Sequence, residues 1–262
     1  MRRPFLIAPL APAACASLLV VTVLAVRLSS PVRAHDAIAF DGFLGLGALE
    51  PLLTFGASLG NPVPYLLLGG LCAATAFARG LHRRALVILV LLAATGAATQ
   101  GLKVLLDQGT LHPGAFPSGH ATAALTLAFA AVLAAPRDLR PPAVLGGAAL
   151  ACTVAFSIVA LGWHSPSDVL GGFLVAATLT AAAVAFLDRA EVRGTADAVP
   201  VPVPARTGLL VAVGVAAGVP PALVASAADL PALTANGSAV AAAAAIGVLA
   251  LTLVAALARI AR

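Results

Sequence analysis

Residues 84–135 read RALVILVLLAATGAATQGLKVLLDQGTLHPGAFPSGHATAALTLAFAAVLAA. Two apolar runs, 84–102 and 119–135, flank a polar segment that carries the only lysine, Lys103, and the run Pro117-Ser118-Gly119-His120. About 20 helical residues cross a hydrocarbon core of about 30 Å. The stretch therefore predicts two membrane-spanning helices joined on one face of the bilayer. The pattern continues in both directions, with apolar runs at 6–26, 51–78, 142–162, 169–187, 207–227 and 238–258, each bounded by charges, Pro or Gly, giving eight expected spans. Composition agrees: 61% of the 262 residues are hydrophobic and 10% charged, with a mean hydropathy of +1.06, far from a soluble domain. The fold class read from these runs is an all-α polytopic membrane helical bundle.

Charge sets the expected orientation. A cytoplasmic N-terminus puts Arg2, Arg3, Arg79, Arg83, Arg84, Arg137, Arg140, Arg189, Arg193, Arg206, Arg259 and Arg262 inside and leaves Arg27, Arg33 and Lys103 outside. The opposite orientation inverts this twelve-to-three bias, against the positive-inside rule. Both termini are then cytoplasmic in a multi-pass protein of the cell membrane. Arg2 and Arg3 before an apolar stretch, with Val32-Arg33-Ala34 as a cleavage site, also fit a signal peptide. The run is long for one, and cleavage leaves the remaining topology unchanged.

Residues 28–50 read as an outer loop able to fold over that face, and 188–206, with its Pro-Val repetition at 199–204, as an extended cytoplasmic linker. The expected division is a six-helix core over 1–187, the linker over 188–206 and a C-terminal helix pair over 207–262. Gly214 and Gly218 in that pair form a small-xxx-small pattern suited to close helix contact. Cys15, Cys72 and Cys152 all fall inside apolar runs and offer neither a disulfide framework nor a metal-ligand spacing. No basic run interleaved with aromatics suggests nucleic acid. The expected partner is the bilayer itself, and homo-oligomerisation is left open.

Ionisable residues at the edge of a membrane are costly, so where they gather is informative. Lys103, Ser118-Gly119-His120 and His164-Ser165-Pro166-Ser167-Asp168 lie at span ends that all fall on the outer face. Spans four and six both start there, presenting unpaired N–H groups and the positive end of the helix dipole, which is an anion site in outline. Ser118 suits an N-cap, with Gly119 allowing a ligand close to the backbone. Ser165, Pro166 and Asp168 suit the N-cap, first and third positions of a capping box. Each of these residues taken singly is an ordinary cap or a solvated histidine. Their conjunction, with two of five histidines and the sole lysine on one face, points to chemistry. His35 and His82 have no comparable company, and His112 lies within reach of the same face.

Lys103, then Pro117-Ser118-Gly119-His120, then Ser157 with His164 and Asp168, resemble in order and spacing the signature of the type 2 phosphatidic acid phosphatase superfamily, over roughly residues 50–187. The resemblance implies a six-helix core and a metal-independent phosphatase or diphosphatase needing no cofactor. It implies that His164 is the nucleophile, Asp168 its partner and His120 the general acid, with Lys103, Ser118 and Gly119 binding phosphate. A membrane lipid phosphate is the implied substrate: polyprenyl diphosphate, as in undecaprenyl diphosphate recycling, phosphatidate or phosphatidylglycerophosphate. Two departures stand out. Thr110 and Ile158 occupy the positions of two phosphate-binding arginines, each worth about 1.5–3 kcal/mol as a charged hydrogen bond. Arg27 and Arg33 are the other outer cations. The competing reading is a non-catalytic scaffold or lipid-binding protein that keeps the fold.

Overall fold

The computed structural model describes residues 10–44, 49–106, 116–191 and 237–260. The expected span 207–227, the glycines at 214 and 218, residues 192–206 of the linker, His112 and Thr110 lie outside the described residues. Nine α-helices and no strand occur among the described residues: α1 Leu10–Leu28, α2 Ser30–Phe43, α3 Glu50–Ser58, α4 Pro62–Ala78, α5 His82–Leu106, α6 Gly119–Ala134, α7 Arg140–Ala160, α8 Pro166–Glu191 and α9 Gly237–Ile260. Five of these are long and apolar enough to cross a membrane, and α3 with α4 makes a sixth if the bent pair counts as one span. The protein is a multi-pass helical membrane protein.

The axis of the bundle is α6, which packs against α4, α5, α7, α8 and α9. Its sequence, GHATAALTLAFAAVLA, is mostly small residues, and 13 of its 16 are buried. Small side chains let neighbouring backbones approach, which is how helices gain packing where no hydrophobic effect separates them from lipid. One end of the bundle holds the start of α6 and α8 and the finish of α1 and α5. At the other end the Arg79 guanidinium, buried at the finish of α4, donates to the Ala134 carbonyl at 2.6 Å, closing the C-terminus of α6. The final helix, α9, packs against α2, α6, α7 and α8.

Two expectations need correcting. The run 51–78 is not one continuous helix: it breaks at residues 59–61, and α3 and α4 meet at a bend of 49°. Pro62 opens α4 and lacks the N–H that a continuing helix requires. Residues 28–50 are not a loop throughout, because most of them form α2. Ser29 caps it by accepting from the Val32 N–H at 3.4 Å, and Pro31 occupies its first turn. Asp36, Ala39 and Phe43 fall on one face of α2 and are buried.

Candidate active site

The turn between α7 and α8 delivers the first histidine. Gly162 has a φ of 74°, a left-handed conformation that glycine adopts without strain. The chain reverses there so that the Trp163 and His164 N–H groups both donate to the Ile158 carbonyl, at 2.9 and 3.2 Å. Ile158 thus serves the site through its backbone while its side chain lies fully buried in the apolar core. His164 is 8% exposed, and its Nδ1 stands 3.4 Å from Oδ2 of Asp168. The same oxygen accepts from the Ser165 N–H at 3.0 Å, which forms the carboxylate half of the expected capping box, while the Ser165 hydroxyl pairs with that of Ser167 at 3.0 Å instead of capping the helix. One carboxylate therefore both starts α8 and faces the imidazole.

The second histidine comes from α6. Ser118, fully buried, caps the helix by accepting from the Ala121 N–H at 3.3 Å, and its own N–H donates to the Asp168 carbonyl at 2.9 Å. That bond ties the start of α6 to the start of α8. Thr122 adds another tie, donating to the carbonyls of Ser118 at 2.8 Å and Gly172 at 3.2 Å. The rings of His120 and His164 lie with centroids 6.4 Å apart, close enough for one phosphoryl group to touch both. Trp163 flanks His120 at 5.7 Å. Open space surrounds the position where a Gly119 side chain would project. Among the described residues the Gly119 and His120 amides carry no intramolecular hydrogen bond, leaving two donors at the positive end of a helix.

The cations take distinct places. Lys103, half-buried in the last turn of α5, is near enough for its charge to act on His120. Arg27 reaches from α1 to the Leu106 carbonyl at the end of the same helix, a turn beyond Lys103. Arg33 is turned to the end of α1, donating to the Arg27 carbonyl at 2.6 Å and the Val26 carbonyl at 3.2 Å. Ser157 is buried against Gly56 of α3, and its hydroxyl has no hydrogen-bond partner. His35 is exposed on α2 and bonded to the Pro31 carbonyl, and His82 stacks edge-on with Phe77, so neither joins the site.

Sequence reasoning missed two residues here. Asp36 of α2 accepts from both the Ser167 N–H at 2.9 Å and the Ser167 hydroxyl at 2.7 Å. With Asp168 on the Ser165 amide, the start of α8 is filled by the chain's own carboxylates. The expected pair of anion-binding helix starts reduces to one, that of α6. Replacing Asp36 by Ala should remove two charge-assisted bonds and orphan a buried amide, lowering stability by about 2–3 kcal/mol. Thermal unfolding in detergent measures this, and an unchanged midpoint would rule out a structural role for the contact. Asn61 is the second: its Oδ1 lies 3.0 Å from Nε2 of His120. Gly-Asn-Pro inside an apolar run is a breaker signal that pointed to this spot.

Comparison with known proteins converges on one family. Residues 104–191 match the PAP2 superfamily. The fold is similar to the crystal structure of a transmembrane PAP2 type phosphatidylglycerolphosphate phosphatase from Bacillus subtilis, with a TM-score of 0.59 and 21% identity, over 68% of this chain and 96% of that one. No curated protein matches in sequence. The matched segment contains Ser118, Gly119, His120, His164 and Asp168, the residues that the fold draws to one end of the bundle, and over that segment the chain is similar to the PAP2 superfamily.

Proposed function

We propose that this protein is a lipid phosphatase that hydrolyses a phosphate or diphosphate from a membrane lipid through a phosphohistidine intermediate. The observation that carries the reading is the facing pair of histidines, one backed by a buried carboxylate, beside a helix start with two unpaired amides. With Nδ1 of His164 turned to Asp168, Nε2 is the nitrogen that attacks phosphorus. The N–P bond forms as the bond from phosphorus to the leaving oxygen breaks, the lipid's own oxygen in a monophosphate and the bridging oxygen in a diphosphate. His120 protonates that oxygen, and Asp168 stabilises the positive charge on His164. Water then attacks the phosphohistidine and releases phosphate. Lys103, the Ser118 hydroxyl and the Gly119 and His120 amides stabilise charge on the equatorial oxygens. None of these steps calls on a metal.

Arg27 is the cation best placed to compensate for Thr110 and Ile158, since it shares the end of α5 with Lys103. A site at one end of a membrane bundle favours amphiphilic substrates whose tails stay in lipid, and polyprenyl diphosphate, phosphatidate and phosphatidylglycerophosphate all fit that description. The test is phosphate release by detergent-purified protein from these three lipids with a chelator present. Release above the level of a His164→Ala control supports the reading. Equal background from both would leave the scaffold reading.

The site is proposed to face the extracytoplasmic side. Support comes from charge: Arg27, Arg33 and Lys103 stand at the site end, while Arg79, Arg83, Arg84, Arg137 and Arg140 stand at the other. Cysteines introduced at the exposed positions His35 and Arg137 report this directly. In intact cells, an impermeant maleimide should label the former and reach the latter only after permeabilisation. The reverse pattern would invert the orientation.

A further inference from the structure

The break between α3 and α4 is shaped around His120. Gly60 lies so close that an added Cβ would stand 3.0 Å from both Cβ and Cδ2 of the histidine. Only a residue without a side chain leaves the imidazole its present place. Asn61 then occupies the N-cap of α4, a position where asparagine ordinarily bonds the helix's own amides. It makes no such bond. Its side chain turns instead to Nε2 of His120, at 3.0 Å, and Pro62 fixes the start of α4 behind it. The Nε2–Cδ2 edge of the imidazole thus faces the break, and Nδ1 is the nitrogen left for another partner.

We propose that Asn61 is a positioning residue for the general acid: its amide oxygen accepts the Nε2 proton of His120, fixes the ring, and leaves Nδ1–H to protonate the departing lipid oxygen. This rests on the phosphatase reading above. In the step itself, the His164 Nε2–P bond forms, the bond from phosphorus to the lipid oxygen breaks, and the proton moves from His120 Nδ1 to that oxygen. The Nε2 proton stays on His120, shared with Asn61 throughout. Without the acceptor, the ring is free to turn and either nitrogen can carry the proton of the neutral form.

The acid matters in proportion to how poor the leaving group is. A lipid alkoxide needs its proton, whereas p-nitrophenolate leaves without one. For Asn61→Ala we expect the ratio of kcat on phosphatidate to kcat on p-nitrophenyl phosphate to fall about 10- to 100-fold, with KM for phosphatidate little changed. Asn61→Asp restores an acceptor and should bring the ratio back to within about threefold of the parent. Equal losses on both substrates, or none on either, would overturn the assignment. A second readout needs no turnover. Nitrogen-15 spectra of histidine-labelled protein, recorded at a pH where His120 is neutral, should show its one proton on Nε2 in the parent and a mixture of tautomers in Asn61→Ala, the second proton, on Nδ1, being the one that the acid form donates. Identical spectra would overturn the proposal, while absent phosphate release from the parent would count against the phosphatase reading alone.

Discussion

Replacing His164 by alanine should lower phosphate release at least about 10³-fold on every lipid that the parent hydrolyses, since the covalent route loses its nucleophile. The surroundings of His164 make the expectation specific. Its backbone is pinned to the Ile158 carbonyl, its ring is nearly enclosed, and Asp168 stands behind one nitrogen so that the other can attack. Among the described residues no second imidazole has this arrangement, because His120 is backed by a neutral amide. Asp168→Asn should cost less than His164→Ala, since the nucleophile remains while the charge that faces Nδ1 at 3.4 Å is lost. A His164→Ala protein retaining a tenth of parental turnover would move the nucleophile elsewhere. Rapid alkaline quench after brief exposure to labelled substrate offers a parallel check, with a label that survives alkali and is released by acid expected on the parent only.

The second large effect concerns a residue that touches no substrate. A Cβ added to Gly172 would lie 2.5 Å from the Ser118 carbonyl oxygen and 3.1 Å from the Thr122 amide nitrogen. Both are backbone atoms of the first turn of α6, so no side chain can swing away to make room. Gly172→Ala must therefore push α8 from α6 at the level where the Ser118 N–H meets the Asp168 carbonyl and Thr122 meets the Gly172 carbonyl. Overpacking of this kind costs about 1–3 kcal/mol. Because Ser118, His120, His164 and Asp168 are all carried by those two helix starts, turnover should fall at least about tenfold, in keeping with the sensitivity of catalysis to small displacements. Activity assayed well below the unfolding midpoint separates misalignment from unfolding. Parental turnover in Gly172→Ala would show that the spacing of α6 and α8 does not control the chemistry.

What could be read from sequence follows a physical division. In so apolar a chain, each polar group at a helix end is conspicuous, so Lys103, Ser118, Gly119, His120, His164 and Asp168 announce themselves. The structure gathers them at one end of the bundle, and of the capping box around Ser165 and Asp168 the carboxylate half forms as the spacing predicts, while the Ser165 hydroxyl turns to Ser167. The break at Gly60-Asn61-Pro62 escaped because three residues barely lower the hydropathy of a long apolar run, although their types signal it. Helix α2 escaped because its 14 residues carry mixed polarity, and its start at Ser29 and Pro31 was outweighed by the charges that follow. The Asp36–Ser167 contact bridges 131 positions, and no local pattern encodes a pairing that distant. For that reason the start of α8 looked free for a ligand when the chain's own carboxylates fill it.

The central helix is short, and that has a bearing on depth. Its 16 residues rise about 24 Å, against about 30 Å of hydrocarbon. The Arg79 guanidinium, buried against the Ala134 carbonyl, closes the far end of α6. The starts of α6 and α8 are held level by the Ser118 N–H on the Asp168 carbonyl, so the extra length of the 26-residue α8 lies at the opposite end. A helix shorter than the hydrocarbon is thick ends where a lipid's head group can meet it while the tail stays in the bilayer.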